Sequence, residues 1–223
     1  MKIIELHLLS NDLVNTATFY NEILGLPIVY QNDSAIKFSA GTSSLIFKRT
    51  FDIDPFYHFA FNIPASKFEA AFGWLISKLP VIQITPSIDI ADFKSWNAKA
   101  FYFYDNNNNI VEMIARFDLD NNSALPFSGE SICCVSEIGL VVDDAATYGL
   151  SIMEAYGVSY FSKQVPQPGF VALGDDDGLL IVVDKNRDWY PTKIKSKPFC
   201  TSVIIDQNNT LHELQLNCPY NLV

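Results

Sequence analysis

Glu5-Leu6-His7-Leu8-Leu9-Ser10-Asn11-Asp12 and Glu137-Ile138-Gly139-Leu140-Val141-Val142-Asp143-Asp144 are one pattern written twice, and Gly25 and Gly157 close it. The glutamate, the second leucine, the last aspartate and the glycine recur at one constant offset. Such an offset marks a duplication, in which each copy is one supersecondary unit. A second echo joins Asp105 through Glu112 (DNNNNIVE) to Asp206 through Glu213 (DQNNTLHE), each with an aspartate at a turn and a glutamate seven residues later.

Alternation over 3–9 predicts a strand, and Asp12 is an N-cap for a helix with Leu13, Ala17, Tyr20 and Leu24 at helical spacing, stopped by Gly25. Strands at 28–30, 35–39 and 45–49 complete a βαβββ unit. A second unit opens with a strand at 57–63. Ser66 and Glu69 then form a capping-box signature before Phe68, Phe72, Leu75 and Leu79, and Pro80 ends that helix. Strands at 81–85, 100–104 and 110–116 follow, with 86–99 as an inserted loop. The polar stretch 118–131 reads as a linker. A third unit occupies about 133–185, after which only a hairpin at 200–216 remains. The expectation is an α+β protein of tandem βαβββ units forming curled mixed sheets: three complete units and a truncated fourth. Residues 1–117 would be one pair of units and 132–223 a degenerate second pair.

Composition bounds the function. Of 223 residues 49% are hydrophobic and 18% charged, which describes a packed core rather than a disordered chain. Fifteen Lys and Arg against 25 Asp and Glu give a net charge of −10, which argues against nucleic acid and anionic membranes as partners. The opening MKIIELHLLSND reads as a first strand rather than a signal peptide, and no stretch is long and apolar enough to span a bilayer. Cys133, Cys134, Cys200 and Cys218 show neither CxxC nor zinc-finger spacing, so the sequence predicts no disulfide framework and a cytoplasmic location. Walker, Rossmann, nucleophile-elbow and HExxH motifs are absent from the sequence.

Tandem βαβββ units, Asp12-Leu13 followed by Phe19-Tyr20 and Leu24-Gly25-Leu26-Pro27, and the closing turn-strand 105–112 together resemble the vicinal oxygen chelate superfamily. That group includes glyoxalase I, methylmalonyl-CoA epimerase, extradiol dioxygenases and bleomycin-resistance proteins. The resemblance covers 1–117 well and 133–217 in degraded form. It implies an open cup and one divalent metal ion (Fe, Mn, Ni, Zn or Mg) held from the first and last strands of the units. The matching positions here are Glu5, His58 and Glu112, while the fourth falls near Ile46 or Phe47, which cannot ligate. His7 shares a strand face with Glu5 and is its rival. With His7 the set becomes two histidines and a glutamate, as in non-haem iron oxygenases.

Each residue also has a plainer reading. His58 on an apolar strand could be a hydrogen-bonded core histidine, and Glu5 an exposed strand residue. An inward Glu112 between Val111 and Met113 would be costly without a cation or donors. Phe93 and Trp96 lie in the inserted loop as candidates for a lid, and Phe47, Arg49 and Tyr102 are further candidates for contact with substrate. The third unit has Val182 where its last-strand ligand should fall, and Glu137 and Glu213 have no histidine on their own strand face. The second half is therefore expected to be structural, a cover for the cup, or a dimer surface.

The resemblance implies a metal-dependent lyase, isomerase or dioxygenase acting on a small oxygenated molecule, with Glu112 doubling as catalytic base and a homodimer as one way of completing the cup. The alternative is a metal-free protein of the bleomycin-resistance type, sequestering an aromatic or cationic ligand. A pure assembly module is a third reading.

Overall fold

A computed structural model describes residues 1–218; residues 219–223 of the expected second half lie outside the described residues. In chain order the strands are β1 (Lys2–Ser10), β2 (Ile28–Gln31), β3 (Ala35–Ala40), β4 (Ser43–Arg49), β5 (His58–Asn62), β6 (Ala91–Phe93), β7 (Ala98–Tyr104) and β8 (Ile110–Arg116). After the linker come β9 (Cys134–Val142), β10 (Phe170–Asp175), β11 (Gly178–Asp184), β12 (Thr201–Gln207) and β13 (Thr210–Leu216). Helices α1 (Leu13–Ala17, continued as a π-turn over Thr18–Ile23), α2 (Phe68–Ile76) and α3 (Ala145–Tyr156) connect them.

The duplicated positions fold alike. Asp12 and Asp144 each cap a helix by accepting a backbone N–H three residues on, from Asn15 and Thr147, both at 3.0 Å. Gly25 and Gly157 both take positive φ, 73° and 66°, the left-handed turn that glycine enters without a Cβ penalty. The two Asp-Asn turns also match, with Asn108 and then Asn208 and Asn209 left-handed. In the first turn the Asp105 carboxylate accepts from the N–H groups of Asn107 and Asn109 and from the Tyr20 hydroxyl, which fixes the start of β8 and hence the register of Glu112.

The strands assemble in an order that differs from the expected halves. One six-stranded sheet runs β13-β12-β1-β4-β3-β2, and a seven-stranded sheet runs β10-β11-β9-β5-β8-β7-β6. The first unit thus pairs with the C-terminal hairpin and the second with the third. Each first strand offers one free edge; β12 takes that of β1, and β5 and β9 take each other's, antiparallel.

Other differences are local. The capping box at Ser66 and Glu69 does not form: Ser66 turns to Ser123 of the linker, 3–10 geometry fills Ala65–Lys67, and the helix proper starts at Phe68. The strand expected at 81–85, bracketed by Pro80 and Pro86, is reduced to a bridge between Ile82 and Tyr102, and β6 forms further on. In the third unit the second strand is a single bridge, Tyr160 to Leu173. Cys200 and Cys218 are bonded, contrary to the expectation that the cysteines form no bridge. The reason is positional: they flank the paired residues Thr201 and Leu216 at the open end of the β12–β13 hairpin, with Cα atoms 4.4 Å apart. No described helix is long and apolar enough to cross a membrane.

One face of each sheet enters the main core, where Leu6, Leu8 and Phe47 meet Phe59, Phe61 and Phe101. The opposite face of the seven-stranded sheet carries its own smaller apolar cluster around Ala60, Trp96, Tyr102, Ile181 and Trp189. The candidate site lies there.

Candidate functional site

The floor of the site is built by register. Ala60 in β5 pairs with Glu112 of β8 on one side and with Glu137 of β9 on the other, so both carboxylates stand on one face with only a methyl group between them. His58 lies two residues along β5 on the same face. All three line a cavity of about 270 Å³ walled by Phe93, Trp96, Tyr102, Phe170, Trp189 and Tyr190.

A strap between β11 and β12 covers part of this cup. It turns back on itself through the pairing of Asp188 with Lys195 and a bond from the Trp189 N–H to the Ile194 carbonyl. Trp189 lies with its ring centroid 5.2 Å from that of His58, and Tyr190 packs edge-on to Tyr102 at 5.7 Å. The indole rests directly on β9 backbone at Gly139, where an added Cβ would come within 2.4 Å of the ring.

Burial controls the electrostatics. It draws the His58 imidazole down to about 4, although a hydrogen bond between Nδ1 and the Ile110 carbonyl partly opposes this. With Nδ1 donating, Nε2 presents its lone pair 3.7 Å from a Glu112 oxygen. Glu112 is raised well above the usual carboxylate range, first by burial and then by the charge of Glu137, while Arg116 and the Tyr102 hydroxyl act in the opposite sense. Glu137 is also raised by burial, less so because Arg116 is its partner. Arg116 is wholly buried, ion-paired to Glu137, 3.5 Å from Asp176 and set beside the Trp96 and Phe161 rings, which pack edge-on against each other. Burial thus favours the protonated form of Glu112 and the neutral form of His58, while the Arg116 charge favours the ionised form of Glu137.

The structure brings together His58, Glu112, Phe93, Trp96 and Tyr102 of the residues singled out from sequence. Glu5 and His7 lie in the six-stranded sheet, where Glu5 bonds to His7 at 3.0 Å and to Lys37 at 2.7 Å. Phe47 is in the main core against Tyr20, and Arg49 reaches the Asp33 carbonyl and the Phe51 ring instead of a cavity. Val182, the position aligned with a ligand in the third unit, also belongs to the main core; Ile181 and Val183 face the cup. Sequence reasoning missed Glu137, Arg116 and Trp189. Glu137 was visible as the duplicate of Glu5, but its partners come from another unit.

The donors fit a divalent metal poorly. His58 and Glu112 converge, yet the third carboxylate of the floor is held by the Arg116 guanidinium, whose charge opposes a cation at that place. Among the described residues no three His, Cys, Asp or Glu side chains are grouped to hold a metal ion.

By sequence, no protein-family profile and no curated protein matches the chain. By structure, a dioxygenase-type protein from Bacillus subtilis superposes with a TM-score of 0.61 at 11% identity over 98% of this chain and 86% of its own. A V278E variant of glyoxalase I from Zea mays gives 0.57 at 16% identity over 88% and 70%. Glyoxalase I from the same plant gives 0.55 at 14% identity over 82% and 66%. The chain has the vicinal oxygen chelate fold, an α+β architecture of curled mixed sheets. At these identities the likeness defines architecture and leaves chemistry to the site.

Proposed function

We propose that the protein binds a small, largely apolar molecule in the cup of the seven-stranded sheet and transfers a proton on it, with Glu112 as general acid and base. The observation that carries this reading is the buried His58–Glu112 pair on the cup floor. Burial and the neighbouring Glu137 raise the Glu112 carboxyl, the direction that makes its carboxylate a stronger base for taking a carbon-bound proton and its acid form the one that returns it. His58, oriented by its bond to the Ile110 carbonyl, faces Glu112 with Nε2 at 3.7 Å. Tyr102 faces the same carboxyl, and the buried rings of Trp96, Tyr102 and Trp189 give the site an apolar wall. The reaction class is isomerase- or lyase-type proton transfer on a small molecule that carries a carbonyl oxygen. The metal-dependent reading needs Glu112 ionised and a third donor freed from Arg116, and no step is assigned to it.

A second reading, ligand sequestration without chemistry, is favoured by Trp189 lying against His58.

The test is exchange of carbon-bound hydrogen in heavy water for a panel of small carbonyl compounds, followed by NMR, with metal content measured on the same untagged preparation. Loss of exchange by about 100-fold or more in Glu112→Gln supports proton transfer. Exchange that survives this change would sink it, as would activity that tracks a stoichiometric, chelatable metal. Tight binding without exchange in either protein moves the conclusion to sequestration.

A further inference from the structure

Taking the cup as the binding site, as above, we propose that its ligand is a small oxo acid whose carboxylate is held by the Arg187 guanidinium while its carbonyl end meets Glu112. Arg187 is then the residue that selects and orients the substrate.

Arg187 is the one lysine or arginine among the described residues that line the cup. It follows β11 at the start of the strap, where its backbone is fixed at both polar groups: the N–H donates to the Ser196 hydroxyl at 3.1 Å, and the carbonyl accepts from the Ser196 N–H at 2.7 Å. The side chain is half-buried and lies along the cup wall, its guanidinium carbon over the Phe170 ring at 4.8 Å from the centroid. Stacking on a ring face holds the planar fork in place and leaves its N–H edge to a bidentate acceptor.

The chain supplies no such acceptor. Among the described residues no carboxylate pairs with Arg187. Asp188 beside it pairs with Lys195 at 2.6 Å, and Asp184 accepts from the Ala145 N–H at 2.7 Å. Arg116, by contrast, meets both Glu137 and Asp176. In a chain with 25 Asp and Glu against 15 Lys and Arg, a half-buried arginine that lines a cavity and meets none of them points to an anion from outside the chain.

The surroundings set the charge and the length of that anion. Glu112, Glu137 and Asp188 line the same cavity, so one guanidinium balances a monoanion such as a carboxylate and not a dianion such as a phosphate ester. Ser95 and Gln167 add neutral donors, and the aromatic walls take the apolar body. Phe170 and Glu112 belong to β10 and β8, four strands apart in the order β10-β11-β9-β5-β8. Arg187 and Glu112 therefore approach the cavity from opposite flanks, and a ligand that meets both has several bonds between its carboxylate and the carbon that gives up a proton.

The experiment is isothermal titration calorimetry of the full chain with benzoylpropionate, its methyl ester and butyrophenone, together with hydrogen exchange beside each ketone in heavy water. The acid is expected to bind about tenfold or more tightly than either neutral compound. Arg187→Gln brings the acid down to the level of the neutral compounds, and Arg187→Lys, a point charge without the fork, restores part of the difference. Arg187→Met, which keeps an apolar stem on Phe170, replaces Arg187→Gln should that variant fail to fold. Equal binding of acid and ester overturns the proposal, as does a preference for the acid that survives Arg187→Gln, or no binding of any of the three. The two readings of the cup fail separately. A preference for the acid that depends on Arg187, without exchange, sustains this proposal and sinks proton transfer; exchange with no gain from the carboxylate does the reverse.

Discussion

Glu5 and Glu137 are the same residue of a duplicated unit and have opposite surroundings. Glu5 is partly exposed; burial alone would raise it, but bonds from Lys37 and His7 outweigh burial and lower it. Glu137 is buried beside Arg116, and burial wins, raising it. The positions that make the unit fold, Asp12 with Asp144 and Gly25 with Gly157, kept one role in both copies. The position facing the concave side diverged with the sheet that closes over it. Duplication preserves caps and turns because they are satisfied locally, whereas a site residue takes its character from strands that the duplicate does not share.

The two glutamates differ most in what the loss of a partner costs. Arg116→Leu leaves Glu137 buried without a counter-charge and is expected to cost about 3–5 kcal/mol, whereas Lys37→Met beside Glu5 costs about 0–1 kcal/mol; urea denaturation of the two variants measures both. Comparable losses would mean that the two glutamates are alike after all.

Reduction tests the unequal closing strands. Opening the Cys200–Cys218 link, which spans 18 residues, is expected to remove about 3 kcal/mol, seen as a lower thermal midpoint in Cys218→Ser, while Cys133→Ser changes it little.

Gly139→Ala drives a methyl into Trp189, which overpacks the cup by about 1–3 kcal/mol. Gly25→Ala and Gly157→Ala each cost about 1 kcal/mol through backbone strain alone, and similar values for these two would sharpen the equivalence of the folding positions.

The smallest effects are in pH dependence and have opposite signs. Glu5, lowered in the native state, contributes stability above the ordinary carboxylate range that fades as pH falls through its native pKa. Glu112, raised, retains a proton that the unfolded chain has lost, so its contribution fades as pH rises above 4.5. Glu5→Gln should flatten the limb of a stability–pH curve below the ordinary carboxylate range and Glu112→Gln the limb that begins above 4.5. Identical changes in slope would contradict the assignment.

Much of this was legible in sequence. Asp12, Asp144, Gly25 and the asparagine turns act within a few residues of themselves, so local chemistry determined them. His58 and Glu112 were legible because both belong to one unit and to adjacent parallel strands. Glu5 was placed with them on the expectation that the first two units pair to form one cup. That expectation depends on which free strand edge finds which, a long-range choice that no local pattern encodes. Arg116 ended a strand that reads as apolar, and its counter-ion is Glu137, across the linker. Phe47 and Arg49 were near the right strand but on the wrong sheet.

Two of the three tryptophans, Trp96 and Trp189, line the cup, while Trp74, in α2, packs against Lys78 and Phe127. The molecule thus carries its own optical reporter: occupancy of the cup alters the emission of two indoles against a third that serves as internal reference, so ligands can be screened on the unlabelled protein.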